Sequence, residues 1–206
     1  LYFMYATMLI AVPTGVKVFN WITTMYKGSL TFETPMLFSI AFVILFTFGG
    51  FTGLMLSIAA ADIQYHDTYF VVAHFHYVMV AGAVFSGTAA VYYWLPKWCG
   101  KMYDETMGKV QFWIAFIGFN ITFMPQHFLG LAGMPRRYAD YGLQFADWNM
   151  VSSIGAFMYG AAQILFLFNV VRTITHGKPV DKPEVWEGAE GLEWTVPTPA
   201  PYHTFE

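Results

Sequence analysis

The chain has 206 residues, of which 57% are hydrophobic, 20% aromatic and only 11% charged, with a net charge of −3. Soluble domains carry about 25% charged residues, so this composition excludes an ordinary soluble domain and indicates a polytopic membrane protein. The small net charge gives no indication of a nucleic-acid partner. The single cysteine, Cys99, excludes an internal disulfide.

Five apolar stretches are long enough to cross a bilayer, which takes about 20 residues in a helix. Membrane strands need only about 10 residues, and their residues alternate between polar and apolar. The stretches here are longer and do not alternate in this way. The sequence therefore predicts an all-α transmembrane helix bundle, followed by a polar C-terminal tail at residues 177–206. Because the chain begins inside an apolar stretch, we expect it to be part of a longer chain. The predicted spans are approximately 1–26, 34–61, 68–96, 109–131 and 148–172.

The connections between five spans lie alternately on the two sides of the membrane. Of the lysines and arginines in these connections and the tail, one side of the membrane has only Arg136 and Arg137. We call it the outer side. The positive-inside rule makes the other side cytoplasmic, or the matrix side in a mitochondrion. We therefore expect the C-terminus to lie inside. The inner side receives Lys27, Lys97, Lys101, Lys109, Arg172, Lys178 and Lys182.

Lys17 is the only lysine or arginine in the interior of a predicted span. An ammonium group at that depth must face protein or water, unless the side chain snorkels to an interface. Thr14 lies three residues earlier on the same helical face and offers a hydroxyl group. Pro13 removes a backbone hydrogen bond and can make room for water. The central position of Lys17 disfavours snorkelling, so the pattern favours a role in carrying protons.

His66 and Asp67 are adjacent, just before the third span and on the outer side. An imidazole and a carboxylate side by side suit a divalent ion that keeps several waters. The alternative is an ordinary aspartate near a helix N-terminus, where the helix dipole favours negative charge. From these residues alone, the alternative is preferred.

His74 and His76 stand two positions apart within the third span. Successive helical residues turn by about 100°, so these two side chains point to nearly opposite faces. They cannot hold one metal ion together, but each can hold a separate large group such as a heme. The alternatives are two polar residues satisfied within the bundle and a proton relay.

Arg136 and Arg137 lie on the side where positive charges are scarce, so we expect them to have anionic partners. Guanidinium groups bind carboxylates in a forked, bidentate way, while lipid headgroups are the alternative partners. His127, within the fourth span, is expected to be a hydrogen-bonded core residue rather than a ligand.

Four motifs stand in order along the chain: PTGVKVF at 13–19, HDTYFVVAHFHY at 66–77, PQHFLG with GMPRRY at 125–138, and PYHTFE at 201–206. Together they resemble the motifs of subunit 1 of the heme–copper oxidase family. The chain resembles the last five of the twelve helices of a cytochrome c oxidase subunit 1.

The resemblance implies two hemes bound from opposite sides of the third span. It makes His74 the proximal ligand of high-spin heme a3, where oxygen is reduced. It makes His76 an axial ligand of low-spin heme a, which passes electrons to the first heme. It also implies that the partners of Arg136 and Arg137 are heme propionates.

The resemblance also assigns roles to the two remaining groups of candidate residues. It makes His66 and Asp67 ligands of magnesium or manganese at the boundary with subunit 2. It places Lys17 and Thr14 in a proton channel from the inner side. Asp67 favours a cytochrome c oxidase, because quinol-oxidising relatives tend to carry asparagine at this position.

The implied activity is that of a proton-pumping terminal oxidase, which passes electrons from cytochrome c to oxygen. The implied partners are subunits 2 and 3 and the lipid bilayer of a bacterial or mitochondrial inner membrane. The family's copper ligands, second low-spin heme ligand and acid-fed proton channel match nothing here, so we expect residues outside this segment to hold the copper. A quinol oxidase, a non-catalytic membrane cytochrome and a cofactor-free proton or cation transporter remain alternatives.

Overall fold

The computed structural model describes residues 1–180 and 182–204. A π-helical turn, Val80–Phe85, joins the fourth and fifth helices without a break, and 3-10 turns cover Leu143–Phe145 and Leu192–Trp194. The helices and strands are α1 (Tyr2–Met25), α2 (Thr34–Ser57), α3 (Ala59–Tyr65), α4 (Tyr69–Met79), α5 (Ser86–Cys99), β1 (Lys101–Met102), α6 (Glu105–Leu131), α7 (Ala146–His176) and β2 (Lys178–Pro179).

Five helical stretches in the described part of the chain are long and apolar enough to cross a membrane. Two of them combine shorter elements: α4 to α5 form one stretch, and the 3-10 turn Leu143–Phe145 together with α7 forms another. The prediction of a five-span, all-α bundle is therefore confirmed. The stretches are Tyr2–Met25, Thr34–Ser57, Tyr69–Cys99, Glu105–Leu131 and Leu143–His176.

Several helices begin or end away from the predicted span limits because of local backbone chemistry. α2 ends at Ser57, since the backbone of Ile58 turns extended. α6 begins at Glu105 because the Asp104 carboxylate accepts a hydrogen bond from the backbone N–H of Met107 at 3.0 Å. That bond, together with the Arg172 guanidinium, holds the pKa of Asp104 below its usual value.

The helix ends meet in two groups, as alternating spans require. At one end, which we call the lysine-rich end, Lys101 donates to the carbonyl of Ile174 at 2.7 Å. β1 and β2 pair there as an antiparallel ribbon. At the other end, which we call the arginine end, the N–H of Tyr69 donates to the carbonyl of Met134 at 3.0 Å. The loop after α6 is thereby fastened to the start of α4.

Close backbone contacts at glycine hold the helices of the core together. A Cβ added to Gly130 of α6 would lie 2.0 Å from the backbone nitrogen of Phe70 on α4. A Cβ added to Gly155 of α7 would lie 2.5 Å from the backbone nitrogen of Thr122 on α6. Small residues permit such approaches in membrane bundles, where van der Waals packing drives association. α6 is therefore tied closely to both neighbours.

α1 lies at the edge of the bundle, and the described residues bury none of its side chains. It contacts α2 through Trp21, whose ring packs edge-on against Phe42 and Phe46. The helix that carries Lys17 is therefore peripheral in this chain.

The C-terminal tail packs against the lysine-rich end of α5. Lys97 is 4% exposed, and its ammonium donates to the Val196 carbonyl at 2.7 Å, the Thr198 hydroxyl at 3.0 Å and the Pro183 carbonyl at 3.2 Å. The Trp186 indole N–H donates to the carbonyl of Tyr93 at 2.8 Å. Residues 205 and 206 of the PYHTFE motif lie outside the described residues.

Candidate functional site

The ring of His74 on α4 is held by the backbone and a hydroxyl of α2. Its Nδ1 lies 2.9 Å from the carbonyl oxygen of Gly49 and 3.2 Å from the hydroxyl of Thr52. A carbonyl oxygen can only accept, so the short contact places the proton of the neutral ring on Nδ1. Nε2 then keeps a free lone pair, and it makes no hydrogen bond to the described residues.

Gly53, also on α2, provides the space for this ring. A Cβ at position 53 would lie 2.8 Å from Cε1 of His74, closer than side-chain contacts allow. The half-buried imidazole therefore lies directly against the α2 backbone. Since the ring cannot turn toward α2, its orientation is restricted from that side.

The ring of His76 is held by its own helix and by α6. Its Nδ1 lies 2.7 Å from the carbonyl oxygen of Val72, one turn earlier, so the same argument places the proton on Nδ1. The ring stacks on Phe123 of α6, with centroids 4.1 Å apart and planes inclined by 16°. Stacking covers a face of the ring, and Nε2 at its edge has no hydrogen-bond partner among the described residues.

The two rings therefore contact different neighbours of α4, since His74 contacts α2 and His76 contacts α6. Metal-binding histidines characteristically donate their second ring N–H to a carbonyl or a carboxylate, which fixes the tautomer and ring orientation. Both imidazoles have this arrangement, so each fits an axial ligand of a heme iron. Because the two rings face different neighbours of α4, they do not converge on one ion.

His66 and Asp67 bring a nitrogen and an oxygen together at the arginine end. The Nε2 of His66 lies 3.4 Å from Oδ2 of Asp67, and its Nδ1 lies 3.6 Å from Oδ2 of Asp62. His66 and Asp67 can contact one divalent ion, for which bond lengths are about 2.1 Å. Within residues 1–180 and 182–204, no three histidine, cysteine or acidic side chains form a metal-binding group. Waters or other ligands would have to complete the shell.

Arg136 has its anionic neighbour in the same region. Its Nε lies 3.4 Å from Oδ1 of Asp67, close enough for an ion pair, but it is not aligned for a hydrogen bond. Arg137 is exposed and adopts a left-handed backbone conformation with φ 65°. The two arginines therefore point into different surroundings, with Arg136 half-buried beside the proposed ion ligands.

Lys17 and Thr14 are not brought together with the histidines. Lys17 is exposed, and its Nζ lies 5.8 Å from the centroid of the Trp21 ring, one turn later on α1. The hydroxyl of Thr14 donates to the carbonyl of Ile10 at 2.9 Å. The described residues leave this ammonium exposed, so any residues that enclose it must lie outside the described part of the chain.

His127 differs from its expected role as a hydrogen-bonded core residue. It is 5% exposed, and its ring lies among those of Phe48, Phe70 and Tyr77. Neither ring nitrogen completes a hydrogen bond with the described residues. The expectation of burial is met, whereas the expected hydrogen bond is not found among the described residues.

Sequence reasoning missed the residues that hold the two imidazoles. Gly49, Thr52 and Phe123 stand far along the chain from the histidines they contact, and their own spacing carries no metal-ligand pattern. The available signal was small and hydroxyl-bearing residues within an apolar span, which is also the signal of plain helix packing. Only the contact with α4 distinguishes their role.

Comparison with known proteins gives a family profile and several similar chains. The profile described as Cytochrome C and Quinol oxidase polypeptide I matches residues 1–158. The chain is 55% identical to cytochrome c oxidase subunit 1 of Cereibacter sphaeroides, covering 100% of this chain and 36% of that protein. It is 52% identical to the subunit of the same name from Bacillus sp. (strain PS3), covering 98% of this chain and 33% of that protein.

Two further similarities extend these matches. A probable cytochrome c oxidase subunit 1-alpha of Streptomyces avermitilis is 51% identical, over 99% of this chain and 36% of that protein. The chain thus spans about a third of the length of these relatives. A cryo-EM structure of a heme-copper terminal oxidase dimer has a TM-score of 0.63 at 18% identity, covering 70% of this chain and 27% of that one. This likeness concerns the fold.

Proposed function

The chain belongs to the cytochrome c and quinol oxidase polypeptide I family, and we propose that it is part of the catalytic subunit of a cytochrome c oxidase. In this proposal the complete enzyme passes electrons from cytochrome c to oxygen, forms water and translocates protons. His76 binds low-spin heme a, and His74 binds high-spin heme a3. The hemes, when bound, supply the one-electron transfers and the site of oxygen reduction.

The observation that supports the heme assignments best is the hydrogen bonding of the two imidazoles, which fixes the protonated nitrogen of each ring. Each Nδ1 donates to a backbone carbonyl, at 2.9 Å for His74 and 2.7 Å for His76. In each neutral ring, Nε2 therefore keeps a lone pair that can bind a metal, and the two rings lie on different flanks of α4. A proton relay would need both nitrogens in exchangeable contacts, which a fixed Nδ1–H to a carbonyl does not favour.

The arginine end is the proposed location of the heme propionates and of a divalent ion. Arg136 and Arg137 would bind propionate oxygens through their guanidinium groups. His66 and Asp67, 3.4 Å apart, would bind magnesium or manganese. Because Arg136 also lies 3.4 Å from Asp67, the two sites would share a boundary.

Lys17 and Thr14 are proposed to form part of a proton channel that begins on the lysine-rich side. The support is an ammonium in the interior of an apolar helix, with a hydroxyl one turn away. In the complete subunit the remaining helices would enclose this position, and an enclosed lysine can exchange its proton with neighbouring water. The chain itself contributes the ammonium and the hydroxyl.

The remaining cofactor and partners would come from outside this chain. Copper would be held by other residues of subunit 1, since the family's copper ligands have no counterpart here. Subunits 2 and 3 would complete the enzyme, with subunit 2 receiving electrons from cytochrome c. The lysine-rich end would face the cytoplasm of a bacterium or the mitochondrial matrix, in agreement with the positive-inside rule.

An optical spectrum of the purified intact complex, with and without carbon monoxide, tests this proposal. We expect one six-coordinate heme that does not bind carbon monoxide and one five-coordinate heme that binds it. Two six-coordinate hemes would instead indicate a cytochrome that only conducts electrons. A colourless complex would indicate a transporter, and oxidation of quinol but not of cytochrome c would indicate a quinol oxidase.

A further inference from the structure

Three polar atoms from two helices meet around Nδ1 of His74. The hydroxyl of Thr52 donates to the carbonyl of Gly49 at 2.9 Å, within α2. Nδ1 of His74 lies 2.9 Å from that carbonyl and 3.2 Å from that hydroxyl. Thr52 is 5% exposed, so water does not compete freely for these contacts.

The protons in this triangle can be assigned by elimination. The Gly49 carbonyl can only accept, so both the hydroxyl and Nδ1 must direct their protons toward it. If Nδ1 carried a lone pair instead, two acceptors would face each other at 2.9 Å, which is repulsive. The hydroxyl proton is thus committed to Gly49, and the hydroxyl oxygen turns a lone pair toward Nδ1. The Nδ1 proton is consequently shared between two acceptors.

His76 offers an internal contrast, because it lacks this second acceptor. Its Nδ1 donates to the carbonyl of Val72, on its own helix, and no side-chain oxygen of the described residues joins that bond. The orientation of His76 therefore follows from α4 itself, whereas that of His74 depends on the position of α2. A side chain on α2 can therefore change the hydrogen bonding of the His74 ring without affecting the His76 ring.

We propose that Thr52 is a positioning residue for His74, whose hydroxyl oxygen strengthens electron donation from Nε2 to the iron of the high-spin heme. This inference rests on the proposed function, since it takes His74 as the heme ligand. An N–H that donates to two acceptors gives the imidazole more anionic character, and such partners raise the basicity of the metal-binding nitrogen. A more basic ligand stabilises ferric iron over ferrous iron and so lowers the midpoint potential.

Four variants of the intact oxidase separate the hydroxyl group from the size of the side chain. Thr52→Val removes the hydroxyl and keeps the shape, while Thr52→Ser and Thr52→Ala share a shortened side chain and differ in the hydroxyl. Thr47→Val is the matched control, because among the described residues the Thr47 hydroxyl donates only to the carbonyl of Val43, at 2.7 Å on the same helix. The measurements are the iron–histidine stretching band of the ferrous five-coordinate heme, by resonance Raman spectroscopy, and its midpoint potential.

We expect the variants to group by hydroxyl rather than by size. Thr52→Val and Thr52→Ala should shift the stretching band to lower frequency and raise the midpoint potential. Thr52→Ser and Thr47→Val should resemble the unsubstituted enzyme, and the low-spin heme spectrum should stay constant in all four. A band and potential that are unchanged in Thr52→Ala, or that follow side-chain size, would overturn the inference even if Thr52→Val failed to assemble.

A fifth variant distinguishes failure of this inference from failure of the proposed function. If His74→Ala removes the band while the Thr52 variants leave it unchanged, His74 is the ligand and the role of Thr52 is wrong. If His74→Ala leaves the band in place, the ligand assignment itself is wrong, and the inference about Thr52 fails with it.

Discussion

Asp67 and Arg136 are joined through both their backbones and their side chains. The backbone N–H of Arg136 donates to the carbonyl of Asp67 at 2.9 Å, and the guanidinium Nε lies 3.4 Å from the carboxylate. Asp67 adopts a left-handed conformation with φ 52°, which turns the chain just before α4. The loop after α6 and the start of α4 therefore form one unit, and the proposed ion ligands and propionate ligands lie within it.

The role of Asp67 in ion binding can be tested with Asp67→Asn, which keeps the shape and removes the charge. We expect the purified complex to lose most of its bound manganese or magnesium, since hard divalent ions prefer anionic oxygen ligands. Both hemes should be retained. The measurement is metal content, with the electron paramagnetic resonance signal of manganese after growth in that ion. Asp140→Asn, an exposed carboxylate in the same loop region, is the control, and equal manganese in both variants would contradict the assignment.

His74→Ala and His76→Ala should remove different hemes, because the two imidazoles occupy different flanks of α4. In the intact complex, His74→Ala should abolish the carbon-monoxide-reactive spectrum while sparing the low-spin spectrum. His76→Ala should do the opposite. The measurement is the reduced-minus-oxidised spectrum, recorded with and without carbon monoxide. Loss of the low-spin signal in His74→Ala would mean that the two ligand assignments are exchanged.

Lys17→Met should slow oxygen consumption while heme content stays constant. Methionine has similar length but cannot carry a proton, and removing a positioned proton carrier costs on the order of 100-fold in rate. Oxygen uptake with reduced cytochrome c is the measurement. Lys27→Met serves as the control, since Lys27 follows α1 and contacts only the ring of Tyr26, 5.6 Å away, among the described residues. Normal turnover in Lys17→Met would remove the channel role.

Gly130→Ala should destabilise the complex far more than Gly87→Ala. The added methyl at position 130 would stand 2.0 Å from the backbone nitrogen of Phe70, so α6 and α4 would have to separate. Overpacking costs about 1–3 kcal/mol where side chains can adjust, and a backbone clash allows less adjustment. A Cβ at Gly87 meets nothing within 4 Å. Thermal denaturation, followed by loss of heme absorbance, compares the two, and equal midpoints would show that the close approach is not needed.

Lys97→Met should loosen the C-terminal tail from α5. The substitution removes the donor of three hydrogen bonds to tail residues, and a hydrogen bond from a charged group contributes about 1.5–3 kcal/mol. Limited proteolysis of the purified complex should therefore cleave the tail several-fold faster, as a fraying segment is cut in proportion to its open population. Lys101→Met is the control, because its ammonium is exposed and bonds α7 carbonyls instead. Equal cleavage rates would show that Trp186 and the other contacts suffice.

The sequence alone determined the number and type of the spans and the divergence of His74 and His76. Both follow from local rules: a bilayer requires about 20 apolar residues in a helix, and a helix turns by about 100° per residue. Helix ends were less predictable, as at Asp104, where a side-chain cap begins α6 before the apolar pattern starts. The roles of the candidate residues remain predictions that rest on family resemblance and on their chemistry.

Only the tertiary structure decided what stands beside each candidate residue. It placed Gly49 and Thr52 against His74, Phe123 against His76, and Asp67 against Arg136. It also brought Lys97 to a tail about a hundred residues further along the chain. Spacing in the sequence fixes directions within one helix, whereas contacts between helices depend on how whole faces pack. That packing depends on where glycines let backbones approach, which no single segment reveals.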